Sequence, residues 1–204
     1  MTPDHSENGR STLLVGISNP ETLDPLLHLA SLLAEAGPFD VVLAHVVTVA
    51  EQRTLDSGRS SPEAIRARDF LRQAVGSVAA VGIEARAVVQ VARSVDEGLL
   101  AAAESREARL ILVGYSEAEG DGEGEKEFDR VMHGVARGAE MDVVAAKFRQ
   151  EEMASVLVPV APQPRLEVTG LLCRALRARG GASIRFLHVT DPGEEAGEAE
   201  GRLR

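Results

Sequence analysis

Short apolar runs alternate with amphipathic stretches along most of this chain. Thr12-Leu13-Leu14-Val15-Gly16-Ile17 is apolar without alternation, the pattern of a strand buried on both faces. Ser18-Asn19-Pro20 ends it and opens a helix that places Leu23, Leu26, Leu27, Ala30, Leu33 and Ala34 on one face. Gly37-Pro38 stops that helix. Val41 to Val47 reads as a second strand, and residues 48–60 as a polar loop.

Ser61-Pro62-Glu63 is a helix start, with a capping hydroxyl followed by proline in the first turn. Ile65, Phe70, Leu71, Ala74 and Val78 are its expected inner face, and Gly82 its end. Glu84 to Val91 reads as a third strand. Ser94-Val95-Asp96-Glu97 matches a capping box, because Ser and Glu stand three apart. The helix after it buries Val95, Leu99, Ala102 and Ala103. Leu110 to Val113 is a fourth strand, followed by a glycine-rich acidic loop from Ser116 to Glu127. Phe128, Val131, Met132, Val135 and Ala139 form the inner face of a fourth helix, and Val143 to Ala146 a fifth strand. Strands alternating with helices predict an α/β fold with a parallel sheet and helices on both faces.

After a charged linker, 148–154, the pattern starts again at Val156-Leu157-Val158-Pro159-Val160. Sliding the chain by 143 positions aligns Leu14 with Leu157, Leu33 with Leu176, Gly37 with Gly180 and His45 with His188, without a gap. The expected organisation is therefore a polar tail (1–10), a complete unit (11–147), the linker, a partial β-α-β second repeat (155–190) and an acidic tail (191–204). Two strands and one helix cannot cover both sheet faces alone. The fragment must dock on the first unit or another chain, or continue in a longer protein.

Composition narrows the functions. Apolar residues make up 44% of 204, aromatics only 3%, so the core is built from Val, Leu, Ile and Ala. A net charge of −10 and scattered arginines argue against nucleic-acid binding. Cys173 has no partner for an internal disulfide, the start carries no secretory signal, and no apolar run spans a bilayer. A cytoplasmic location without membrane insertion is the expectation. The Gly-x-Ser-x-Gly elbow, the His-Glu-x-x-His pair, paired cysteines and a Walker loop are missing, so no enzyme activity is expected.

The segments LLVGISNPE, VVLAHVV, VQVARSVDEGLLAAA, ARLILVGYS and DRVMHGVARGAEMDVVA resemble the universal stress protein family (UspA-like). That resemblance implies an open five-stranded sheet of order 3-2-1-4-5, of the adenine nucleotide alpha-hydrolase-like type. The segments around Asn19-Pro20-Glu21 and Val91 to Gly98 are similar to the tandem cytosolic tails of amino-acid permeases and cation/proton antiporters. Many family members bind ATP with an Asp after strand one, glycines after strand four and a Gly-Ser or Gly-Thr pair opening the fourth helix. Glycines let backbone N–H groups approach phosphate, and a helix N-terminus favours anions.

Here Ser18 stands at the Asp position, Gly114 is kept, and Glu117 replaces the next glycine. Counting back from Val135-Ala136-Arg137 places the Gly-Ser pair on Asp129-Arg130. Glu117, Glu119, Asp121, Glu123, Glu125 and Glu127 face only Lys126. At ~4 Å and an effective dielectric of ~20, each like-charge contact costs about 4 kcal/mol. The implied nucleotide site (Gly16, Ser18, Val46, Gly114 and Arg130) is thus degenerate. No cofactor is expected, and ATP or AMP is the ligand if one binds. Gly120, Gly122 and Gly124 read as a mobile solvated loop, since the ligand pattern of a calcium loop is missing.

His45 and His188 are expected to be satisfied structural histidines and Cys173 buried filler. His133 lies one turn from Arg130, which could meet an anion at the helix start. Ser18 is expected to cap the following helix. The leading expectation is a non-catalytic regulatory domain associated with a membrane transporter. The alternative is a stand-alone stress-response protein binding ATP or AMP. Pairing into a homodimer, or within the chain, is expected through the strand-five edge.

Overall fold

A computed structural model describes residues 10–80, 82–116, 123–148, 155–160, 166–180 and 183–188. Chain contacts divide it into two compact units, Met1–Gln150 and Glu151–Arg204. In the first, β1 (Ser11–Gly16), β2 (Phe39–Thr48), β3 (Ala85–Ala92), β4 (Ala108–Ser116) and β5 (Asp142–Phe148) form one sheet among the described residues. Its order is β3-β2-β1-β4-β5 and every pairing is parallel.

The helices are α1 (Leu23–Ala36), α2 (Leu55–Arg59), α3 (Pro62–Ala80), α4 (Val95–Ser105) and α5 (Glu123–Gly138). On one face, Leu14, Val42, Ala44, Ile111 and Val113 meet Leu99, Ala102 and Ala103 of α4 and Val131 and Val135 of α5. On the other, Val47, Val49 and Val91 pack with Ala64 and Ala67 of α3. Leu13, Leu14 and Val15 are sealed because β1 is central and flanked by helices on both sides.

Local chemistry sets the helix ends. The Ser61 hydroxyl accepts from Ala64 N at 3.2 Å, and the Ser94 hydroxyl from Glu97 N at 3.4 Å. After α3 the chain turns at Gly82, whose φ of 82° is a left-handed conformation suited to glycine.

Four sequence expectations need correction. The 48–60 loop contains α2, whose start is capped by Thr54. Ile65 is exposed at 53%; the small Ala64 and Ala67 form the contact line with Leu71, Ala74 and Val78, because α3 sits close to the sheet. The acidic 116–127 stretch is not all loop: β4 reaches Ser116, and α5 begins at Glu123 and so includes Gly124, Glu125 and Glu127. Phe148, placed in the linker, is the last residue of β5. Glu117, Glu119, Gly120, Asp121 and Gly122 lie outside the described residues, as do the tails 1–9 and 189–204.

The second unit contains β6 (Ser155–Val160), α6 (Leu166–Gly180) and β7 (Ser183–His188). β6 and β7 pair in parallel. Val158, Leu171 and Ala175 are buried, whereas Cys173 is only half-buried.

Candidate functional site

The chain runs outward from β1 to β2 and β3, then returns to β4 on the opposite side of β1. The carboxyl ends of β1 and β4 therefore form the topological switch point, where open α/β sheets leave a crevice. Gly16 pairs with Ala44 and Val113, and Gly114 follows directly on β4. Gly16, Ser18 and Gly114 thus share this end of the sheet. A Cβ at Gly16 would stand 2.9 Å from both Leu99 Cδ2 and Val113 Cγ1, so glycine is required there for packing.

The segment leaving β1 is tied down. Ile17 N donates to Ala44 O at 2.8 Å. His45 Nδ1 lies 2.8 Å from Ile17 O; a carbonyl only accepts, so this nitrogen carries the proton. The ring also meets Phe70 edge to face, with centroids 6.0 Å apart. Burial pushes the His45 pKa down, against the opposing effect of the Ile17 hydrogen bond. His45 is a satisfied structural histidine, as its place in an apolar strand suggested.

Ser18 is exposed and does not cap the next helix. Asn19 does: its side-chain oxygen accepts from Glu21 N at 2.9 Å, and its carbonyl accepts from the Thr22 hydroxyl at 3.1 Å. This opens a single 3-10 turn, Pro20–Thr22, before α1. The preference of Asn for such caps was the available signal, since both residues stand before Pro20. Val46 pairs with Gln90 of β3, and its side chain lies against Gly98 of α4. Val46 is therefore a packing residue through its side chain.

Arg130 sits on an exposed face of α5, held by Glu127 one turn earlier. Its Nε donates to Glu127 Oε2 at 2.9 Å and a terminal nitrogen to Oε1 at 2.6 Å. These bonds hold the Glu127 carboxyl below the usual carboxylate range and raise the arginine further. Asp96 is an unforeseen neighbour. It sits in the first turn of α4 against Gly134 of α5, where a Cβ would come within 2.7 Å of its Cγ. Its Oδ1 is buried with no hydrogen-bond partner among the described residues. It also lies within electrostatic reach of Arg130 and Glu127. Its place inside a capping sequence concealed this role, because such a residue usually faces water. His133 is exposed on the same helix.

Comparison with known proteins agrees with this geometry. The profile of the universal stress protein family matches residues 9–147. A universal stress protein from Archaeoglobus fulgidus, solved in complex with dAMP, aligns with a TM-score of 0.51 and 19% identity, covering 66% of this chain and 96% of that one. Another universal stress protein, from Archaeoglobus fulgidus DSM 4304, aligns with a TM-score of 0.64 and 15% identity, covering 93% of this chain and 70% of that one. At these identities the likeness shows the fold. No curated protein sequence matches.

Proposed function

Because the chain belongs to the universal stress protein family, we propose that it is a non-catalytic regulatory module whose nucleotide crevice is weakened toward triphosphate. The observation that carries this reading is the Glu127–Arg130 pair. A phosphate approaching Arg130 meets the Glu127 carboxylate, which already fills two of its donors and repels a second anion. Asp96, on the neighbouring α4, adds negative charge within reach of Arg130. The test is a thermal-shift titration with ATP. A ligand at 100 times its Kd stabilises a fold by about 2.7 kcal/mol, so an unmoved unfolding midpoint at millimolar ATP is expected. A clear upward shift overturns it.

A second reading, binding of a nucleoside monophosphate, is favoured by Gly16 and Gly114 at the switch point and by the dAMP bound to the Archaeoglobus fulgidus protein of the same fold. AMP carries fewer charges to be repelled than ATP. Glu127→Gln should tighten AMP binding if Arg130 is then released to the phosphate. Calorimetry with AMP on both forms decides this.

Under the regulatory reading the chain acts in the cytoplasm, alone or beside a membrane transporter. Among the described residues no helix is long and apolar enough to cross a membrane. The matched positions 143 apart support the second unit as a partial repeat. Dimerisation would use β5, the outermost strand on its side of the sheet. Mass measurement of the wild type in solution tests that pairing.

A further inference from the structure

The opposite edge of the sheet carries a feature that the crevice does not use. β3 is the outermost strand, and among the described residues no strand pairs with its outer edge. Beside it α3 and β3 enclose an open groove of about 510 Å3. Ala85, Ala87 and Val89, alternate residues of one strand face, supply its floor, and Leu71 a wall. Two alanines on this face leave room where larger side chains would close the groove. The rim carries Arg68 and Arg72, both exposed.

The charge of this layer is opposite to that of the whole. The chain has a net charge of −10, yet α2, α3 and β3 carry Arg59, Arg66, Arg68, Arg72 and Arg86 against Asp56, Glu63 and Asp69, which pair with Arg59, Arg66 and Arg72. Neither rim arginine is buried in an ion pair. Arg68 donates to Arg59 O at 2.7 Å, and Arg72 meets Asp69 at 2.6 Å on an exposed face. Each guanidinium has five N–H donors, so these contacts leave donors over.

We propose that this groove is a docking site for an extended peptide segment of a partner protein, carrying carboxylates at alternate positions with small apolar residues between them. The segment adds as a further strand to the free edge of β3, a mode in which main-chain hydrogen bonds give affinity and alternate side chains give specificity. The spacing is the reason for alternate carboxylates. Arg68 and Arg72 are four residues apart on a helix, a rise of about 6 Å at ~1.5 Å per residue. Two residues of a strand advance about 6.6 Å at ~3.3 Å per residue. A crossover helix runs back along its sheet, so the two periods match. The intervening small residues face the opposite side of the added strand, above Arg86 and Val88, which alternate with the floor residues.

Fluorescence anisotropy with a short labelled peptide of alternating glutamate and alanine or valine tests the proposal. Saturable binding to the full chain is expected, weakening as salt rises. The double variant Arg68→Gln, Arg72→Gln should raise Kd roughly tenfold while its unfolding midpoint stays put, because both side chains are exposed. Two probes on the unaltered protein remove any question of folding. A peptide with glutamine for glutamate should bind roughly tenfold more weakly. A peptide methylated on alternate backbone nitrogens should not bind. Equal binding of the glutamine peptide, or of the methylated peptide in both alternate registers, overturns the proposal, as does failure of every peptide. Self-association that the double variant abolishes and the acidic peptide does not displace also overturns it, because a second copy would then occupy the β3 edge rather than pair through β5. None of these results depends on nucleotide at the β1–β4 crevice.

Discussion

Leu14 and Leu157 occupy matching places in two β-α-β segments, yet one is 0% exposed and the other 60%. The segments, β1-α1-β2 and β6-α6-β7, share more than sequence pattern. Leu14 pairs with Val42 and Leu157 with Arg185, so each strand joins its partner 28 positions further on. The contrast extends along the strands. Leu43 is 0% exposed and Phe186 is 57%; Ala44 is 1% exposed and Leu187 is 44%. In the first segment Leu14 and Ala44 lie beneath α4 and α5. In the second, α6 is the one helix among the described residues. The same local pattern thus gives the same pairing and register in both places, and burial is conferred by elements far away in sequence.

Core truncation should break or sustain this contrast most strongly. Leu14→Ala should cost roughly 3–5 kcal/mol, because a sealed leucine leaves a cavity. Leu157→Ala should stay within about 0.5 kcal/mol, as exposed positions do. Urea unfolding of both variants measures the difference. An equal loss at Leu157 would mean that its face is covered in solution.

Helix glycines sharpen the same contrast at smaller scale. Gly134 and Gly98 carry α4 close to α5 and β2, and an added Cβ would run into Asp96 or Val46. Gly134→Ala should therefore cost about 1–3 kcal/mol through overpacking. Gly170 in α6 has only Arg174 Nη1 nearby, at 3.7 Å, and Gly76 in α3 has nothing within 4 Å. Alanine at either should stabilise by roughly 0.5–1 kcal/mol through helix propensity alone. Thermal unfolding midpoints should thus move down for Gly134→Ala and up for the other two.

The smallest effect concerns pH. His45 has a folded pKa below its ordinary 6.5, so over that interval the unfolded chain binds more protons. Its contribution to stability is present above pH 6.5 and is lost as pH falls through the folded value. Denaturant midpoints between pH 8 and pH 5 should fall in the wild type and fall less in His45→Gln. Parallel curves for the two proteins would show that this histidine is not a source of acid lability.

Much of the site was legible where local chemistry dictates it. The capping hydroxyls of Ser61 and Ser94 are read from residue type and spacing, because an orphan amide demands them, while Gly16 and Gly114 were implied by the family resemblance. The Asn19 cap was misplaced by one residue, since Ser and Asn both satisfy the same amide need. Val46 entered the nucleotide site only through the family resemblance; its side-chain contact with Gly98 depends on how α4 lies across the sheet. Asp96 was unreadable, because only the approach of α5 buries its oxygen.

The sequence by itself determined the alternation of strands and helices and the parallel sheet, because these follow from side-chain period and from backbone groups that need partners close by. It also determined the acidity of the stretch from Glu117 to Glu127, which is a matter of composition. Only the tertiary structure decided which apolar faces are covered, that Arg130 is held by Glu127, and that β3 is left with an arginine-rimmed groove. Those outcomes depend on contacts between residues distant along the chain, and local pattern carries no record of what arrives from elsewhere.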